Sequence, residues 1–374
     1  MNEAEMNILT EEQIKEFLDK GVLVADNIFD FREIQEAVNG FSETLAKKKV
    51  DVTDLEESGY NLCFLSSTNG SGGVLDLFYD DWKMKITSHY RLFHATSELW
   101  KKAYCNNGEA RGDFLKEESF KWHPHGAFDC NKGYMYIDRL GFRLPTDLSE
   151  KLGTKFNDGN RKTKKKTNSL QRSLTPHLDC CPVDFFSEKK AKWRPIQCFI
   201  SLTDNLDSNT GGFEALPGFH LEFEEWVGKR APTVHSKKID GVVQEVMTPP
   251  PCIGEYTHIR PKEDASVMDQ IRHIPVKVGS VVFWDNRIPH ANAYRHDGTI
   301  PRAVVYCSFL PDVAVNRVYV QKQLEQYLKG INPGDQWIKS SNNDALSENE
   351  NGTSAGFAMT DLARKLLGME NWDS

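Results

Sequence analysis

IPVKVGSVVFWDNRIPHANAYRHDGTIPRAVVYCSF, residues 274–309, holds two short runs, Ile274 to Trp284 and Arg302 to Phe309, rich in Val, Phe, Trp and Tyr. Proline, glycine, asparagine and aspartate bound each run, which is the pattern of strands separated by turns. The same texture recurs upstream at Tyr134 to Ile137, Ile196 to Leu202 and Gly212 to Leu216. Many short strands in one stretch predict a sandwich or barrel.

Working outward, helices flank this region. Thr10 followed by Gln13 spells a capping box, Ile14, Phe17 and Leu18 recur at helical spacing, and Gly21 supplies a stop, so a helix over 11–20 is expected. A strand follows within 21–28. A second amphipathic helix spans 31–48, with Ile34, Val38, Phe41 and Leu45 on one face. A Gly/Ser-rich break at 66–73 precedes a helical stretch over 82–104, and the chain turns helical again from Tyr319 to Lys329. Residues 340–356 read as a polar linker, after which Thr360 caps a last helix that Gly368 ends. The expected division is one domain over 1–338, helical to about 130 and β-rich over about 131–312, then a linker and short helix over 339–374.

The chemistry gathers between Thr175 and Arg302. His177 and Asp179 stand two apart, so on an extended chain both side chains leave the same face and begin a metal site. His290, at the end of the run Gly279 to Asn286, is the best third donor. Two histidines and one carboxylate hold non-haem Fe(II) on one face and leave positions open for co-substrate and dioxygen. An isolated His-x-Asp is weak evidence by itself. Alternation along 195–202 puts Ile196, Cys198, Ile200 and Leu202 on one face and Gln197, Phe199 and Ser201 on the other. Gln197 is thus either a polar lining residue or part of a half-exposed strand. His123-Pro124-His125 has ligand-like spacing but no matching carboxylate. Cys180 and Cys181 read as buried packing, since adjacent residues of an extended chain point to opposite faces.

The wider pattern resembles the phytanoyl-CoA dioxygenase family of Fe(II)/2-oxoglutarate-dependent oxygenases. The resemblance runs from the helix-Gly-strand opening (Leu9 to Ile28) through Thr175 to Asp179, and through Leu202 to Asn205 leading into Gly211-Gly212-Phe213-Glu214-Ala215-Leu216-Pro217-Gly218-Phe219-His220. It ends with Val278 to Ser280, His290 and Arg302. It implies a mainly β fold, a double-stranded β-helix (jelly roll, cupin-like) with helical extensions at both ends. It also implies iron held by His177, Asp179 and His290, with 2-oxoglutarate and O2 as co-substrates. Arg302, twelve positions after His290, would clamp the distal carboxylate of 2-oxoglutarate, a task that suits a planar, permanently charged fork. Asn292 matches a position beside that co-substrate, and an aromatic near Trp193 walls the pocket in some members. One geometrical objection arises. If Asp297-Gly298 closed a two-residue hairpin, His290 would pair with Val305 and Arg302 would face away, leaving Arg295 as the fallback. In the family's β-helix the two strands belong to opposite sheets, which removes the objection.

The activity implied is oxidation of an unactivated C–H bond of a small organic molecule, with succinate and CO2 released. Hydroxylation is the default, and desaturation or ring closure follow from the same radical. Asp179 speaks against the related halogenases, in which a small residue replaces that ligand. The alternative is a catalytically silent or non-oxidative cupin-like binding protein. Composition sets the remaining bounds. Forty-six Lys+Arg against 54 Asp+Glu leave a net charge of −8, so a general binder of nucleic acid is not expected. No apolar run nears the roughly 20 residues of a membrane helix. The acidic start, Met1 to Thr10, and eight scattered cysteines suggest a cytoplasmic protein with reduced thiols. The basic run Arg161 to Lys166 reads first as a solvated loop and second as a contact for an anionic substrate. P-loop and GxGxxG patterns are missing from the sequence.

Overall fold

The computed structural model describes residues 7–105, 123–158, 169–182, 191–229, 233–239, 241–248, 252–253, 256–333 and 358–374. The basic run 161–166 and the linker 340–356 lie outside them. The chain opens with α1 (Glu11–Lys20), where Thr10 and Gln13 exchange both capping-box hydrogen bonds and Gly21, at φ 64°, ends the helix. A side chain at Gly21 would also collide with His220, its Cβ lying 2.5 Å from Nδ1. That glycine therefore fixes the turn into β1 (Val22–Ala25) twice over.

The helical part continues with α2 (Phe31–Lys47), α3 (Leu55–Ser58), a 3-10 turn (Gly59–Leu65), the short β2 (Val74–Leu75), α4 (Asp81–Thr87) and α5 (Tyr90–Ala103). The helix expected over 82–104 is thus two helices. His89 adopts extended backbone and its ring accepts from the Arg91 N–H, capping the second helix and ending continuity with the first. Next come β3 (Gly133–Tyr136), β4 (Leu140–Arg143), α6 (Thr146–Asp158), β5 (Leu174–Leu178), β6 (Ile196–Ser201) and β7 (Phe213–Ala215). They are followed by α7 (Phe219–Lys229), a hairpin of β8 (Thr233–Ile239) and β9 (Val242–Thr248), β10 (Cys252–Ile253), β11 (Tyr256–His258) and α8 (Ala265–Met268). The core closes with β12 (Arg272–His273), β13 (Val281–Asp285), β14 (His290–Asn292) and β15 (Arg302–Pro311), before α9 (Ala314–Leu328) and α10 (Asp361–Leu366).

Two sheets form the core. The larger has the order β1-β13-β6-β15-β4-β2, with β3 also paired to β15, and the smaller β10-β11-β5-β14-β7-β12. The outer face of the large sheet (Ile196, Cys198, Ile200, Phe283, Val305, Phe309) packs on Phe17, Phe41, Phe93 and Trp100 of the helices. Its inner face (Phe199, Val282, Trp284, Val304) packs on Leu178, Phe213 and Ala215 of the small sheet. This is the expected jelly roll, a β core with helices at both ends. The alternation read along 195–202 holds, but the strand is not half exposed. Every residue of β6 is buried, because its polar side faces the interior of the sandwich. The run Ile274 to Trp284 is also shorter as a strand than it reads. Val276 makes a single bridge to Asn205, Gly279 turns the chain at φ 86°, and β13 begins only at Val281.

Candidate metal centre

β5 and β14 are antiparallel neighbours, and their register sets His177 opposite His290. Asp179 lies just beyond the end of β5. One ligand atom from each of His177, Asp179 and His290 falls within 4.8 Å of the other two. The two carboxylate oxygens divide between the imidazoles, Oδ1 lying 3.6 Å from His177 Nε2 and Oδ2 3.6 Å from His290 Nε2. Backbone carbonyls fix both rings. Nδ1 of His177 is 2.8 Å from Thr175 O, and Nδ1 of His290 is 2.9 Å from Ile288 O. A carbonyl can only accept, so each Nδ1 carries the hydrogen and each Nε2 presents its lone pair to the common centre. Burial, then the neighbouring His290, push the His177 imidazole down to about 4, which keeps it neutral. Burial opposes ionisation of Asp179, yet the two imidazoles that face its oxygens and the nearby Arg194 guanidinium hold its carboxyl well below the usual range. Two imidazole Nε2 atoms and one carboxylate converging on a common centre suit a divalent transition metal.

A buried ion pair supports the loop that delivers His290. Arg287 donates Nε to Asp285 Oδ1 at 2.7 Å and Nη2 to Oδ2 at 3.0 Å, and Tyr104 at the end of α5 donates its hydroxyl to Asp285. The Asp285 N–H in turn donates to Gly21 O and the Asn286 N–H to Pro195 O. The five residues before the ligand are thereby tied to three other elements. Sequence reading passed over this pair, although Asp285 and Arg287 two apart inside an otherwise apolar run were its signal.

The three ligands line a cavity of about 580 Å³, together with Gln197, Phe213, Trp284, Tyr306 and Asn292. Arg302 is 2% exposed and donates Nη1 to Asn292 Oδ1 at 3.0 Å, while its guanidinium lies 5.0 Å from the Phe199 ring centroid. Its Nη2 is buried and has no hydrogen-bond partner among the described residues. The hairpin that would have turned Arg302 away does not form. β14 pairs with β5 and β7, β15 pairs with β3, β4 and β6, and the two strands stand in opposite sheets. Asn292 Nδ2 also donates to Tyr306 Oη and Gly72 O, each at 3.2 Å. Gln197 Nε2 and Trp284 Nε1 are further buried donors in the same cavity without partners among the described residues.

The other sequence candidates stay outside this group. Arg295 is exposed and paired with Asp297 at 2.7 Å, so the fallback for Arg302 fails. Trp193 sits in the outer core against His123, at 4.2 Å between centroids, and does not line the cavity. His125 stacks on the same indole, so His123 and His125 serve as aromatic packing. Cys180 is buried and not in a disulfide, but Cys181 is disulfide-bonded, which corrects the expectation of reduced thiols throughout. Tyr256, Tyr306 and Trp284 were missed as lining residues. Tyr306 shares the parity of Arg302 along β15 and could have been found from it, whereas Tyr256, stacked on His177 at 4.5 Å, comes from a strand of only three residues. The Gly-Gly and Pro-Gly-x-His segment is structural, as expected. A side chain at Gly212 would overlap Asn205 Oδ1, the Gly218 N–H donates to Lys20 O, and the His220 ring bonds Leu18 O.

The fold and its convergent His-Asp-His cluster define a jelly-roll protein with a candidate metal centre. Residues 193–363 match the Gig2-like family. The chain is similar in fold to GlcNAc Inducible Gene 2, GIG2 (DUF1479), of Candida albicans, with a TM-score of 0.68 at 17% identity over 98% of this chain and 78% of that one. A hypothetical protein of Escherichia coli matches with a TM-score of 0.55 at 13% identity, over 97% of this chain and 82% of its own. No curated protein matches the chain in sequence. The family model that matches this part of the chain is thus Gig2-like, and the phytanoyl-CoA dioxygenase family is not among these matches. Among the described residues no helix is long and apolar enough to cross a membrane.

Proposed function

We propose that this protein is an Fe(II)/2-oxoglutarate-dependent dioxygenase that oxidises an unactivated C–H bond of a small organic anion. One observation carries the reading. A three-donor His-Asp-His cluster opens on a cavity whose wall, at Asn292, is backed by a buried guanidinium with an unsatisfied N–H. A buried cation without a counter-ion is costly, and a carboxylate arriving beside it removes that cost. The distal carboxylate of 2-oxoglutarate has the matching charge and planar shape.

In this reading His177, Asp179 and His290 hold the iron. Arg302, with Asn292 and Tyr306 beside it, binds the far end of 2-oxoglutarate, and Gln197 offers a further donor. The bound metal, with O2 and 2-oxoglutarate, would supply an oxidant that inserts one oxygen atom into the substrate C–H while the other enters succinate, with release of CO2. The chain's own work is positional. The ring hydrogen bonds of His177 and His290 hold the ligand lone pairs inward, and Phe213 and Trp284 present apolar surface that excludes water. No side chain need move a proton.

The test is succinate release by the purified protein given Fe(II), ascorbate and 2-oxoglutarate under air. Uncoupled succinate formation above a metal-free control is expected even without substrate. Neither succinate nor any iron-dependent binding of 2-oxoglutarate would leave the catalytically silent binding protein as the better description.

A further inference from the structure

A second cavity, of about 930 Å³, adjoins the first and shares Ser71, Arg172, Leu174, Tyr256 and His258 with it. Its wall carries Arg143, the residue of β4 that pairs in register with Arg302. Arg143 is 3% exposed. Among the described residues its one hydrogen bond runs from Nη2 to Tyr294 O at 3.4 Å, and its buried Nε and Nη1 have no partner. Burial by itself pushes this guanidinium down to about 10, with no carboxylate among the described residues near enough to raise it. Arg287 shows how the same fold treats a structural arginine, giving it Asp285 and the Tyr104 hydroxyl.

Arg172 forms the rim between the two cavities. It is exposed, and its Nη2 donates to Thr68 O at 3.3 Å and to Ser71 Oγ at 3.1 Å, with no carboxylate partner among the described residues. The backbone on either side is clamped as well, Gly72 N donating to Arg172 O and Arg172 N to Gly70 O. The head group is therefore held in place by neutral acceptors and keeps its charge uncompensated. The remaining arginine of the lining, Arg295, already has Asp297, and the one acid of the lining is Glu150. The hydroxyls of Thr146, Ser169 and Ser173 lie on the same wall.

We propose that this second cavity binds an oxyanion, a carboxylate or a phosphate, with Arg143 and Arg172 as its two cations. The oxyanion belongs to the organic molecule whose C–H bond is oxidised in the adjoining cavity. That last step rests on the oxygenase reading, whereas the anion site stands on its own geometry. The five steps of chain from Arg172 to His177 span at most roughly 18 Å between Cα atoms, so both sites lie within reach of one extended organic molecule. Such a substrate crosses the boundary formed by Ser71, Tyr256 and His258.

The test titrates the full chain, loaded anaerobically with Fe(II) and saturated with 2-oxoglutarate, with inorganic sulfate as the tetrahedral probe and with acetate as the planar one. Saturable binding of at least one is expected, weaker at higher salt, and reduced tenfold or more by Arg172→Gln and by Arg143→Gln. Sulfate in preference to acetate identifies a phosphate-bearing substrate, and the reverse a carboxylate. Should Arg143→Gln unfold, the exposed Arg172→Gln decides alone. No binding of either anion, or equal affinities in the native protein and Arg172→Gln, overturns the proposal. Arginine-dependent binding by a protein that never releases succinate would keep the anion site and remove the oxygenase. Succinate release by a protein whose anion affinity ignores both arginines would do the opposite.

Discussion

The two sheets face one another across one core and are built by different rules. In the large sheet, β6, β13 and β15 run 6, 5 and 10 residues, and Tyr306 is their one residue that is not fully buried. The small sheet is made of strands of 2 to 5 residues, and the pairing of β14 with β5 slips between His290 and Asn292. Long strands covered on both faces gain stability from apolar contact and leave little choice of side chain. Short strands with an irregular register can aim polar side chains inward, which is where His177, Asp179 and His290 are found. In the proposed reading stability and chemistry are thus divided mainly between the sheets, with Arg302, Gln197 and Tyr306 as the large sheet's share of the chemistry.

The sharpest test of that division removes a ligand. His177→Ala, Asp179→Ala and His290→Ala should each abolish Fe(II) binding and succinate release, because a three-donor site has no spare. Their melting temperatures in the absence of metal should stay near that of the native protein, since each side chain adds little apolar contact. Iron retained at native affinity after any of these changes would move the metal elsewhere.

Phe309→Ala should show the converse. Its ring is fully buried between Phe93 and the rest of the outer core, at 5.2 Å from Phe93. Truncation of such a residue costs about 3–5 kcal/mol. Chemical denaturation should register that loss, while the folded fraction still binds iron. A smaller effect is expected from Arg302→Ala. Losing a charge-assisted pair to 2-oxoglutarate costs about 1.5–3 kcal/mol, which corresponds to a roughly 10- to 150-fold higher 2-oxoglutarate requirement with iron affinity unchanged. Unaltered 2-oxoglutarate dependence would break the link between the two sheets.

Legibility followed the same division. Ile196 to Leu202 and Arg302 to Phe309 were readable because uninterrupted burial on both faces demands apolar, β-branched and aromatic residues. β11 and β12, at three and two residues, carry no periodicity to read. β4 was missed for a related reason, since Gly141 and Arg143 dilute its apolar character. The three candidate ligands were singled out through the chemistry of residue types and a family resemblance, not through local structure. Arg143 could not be found in that way. Its significance is the missing partner, and partners are set by tertiary packing that no local pattern encodes.

The smallest effect is expected farthest from both cavities, at the first helix. Thr10 Oγ1 accepts from the Gln13 N–H at 3.1 Å, and α1 holds Phe17 fully buried against the outer core before Gly21 passes the chain to β1 at the edge of the large sheet. Thr10→Ala removes one capping hydrogen bond at an exposed position, a loss of about 1 kcal/mol. Urea denaturation should detect it as a lower midpoint with an unchanged slope. Iron and 2-oxoglutarate affinities should not move, because the site's nearest tie to α1 runs through Gly21 and His220, which the substitution leaves in place. A parallel fall in iron affinity would mean that the edge of the large sheet helps to hold the ligands, and that the two sheets are less independent than their construction indicates.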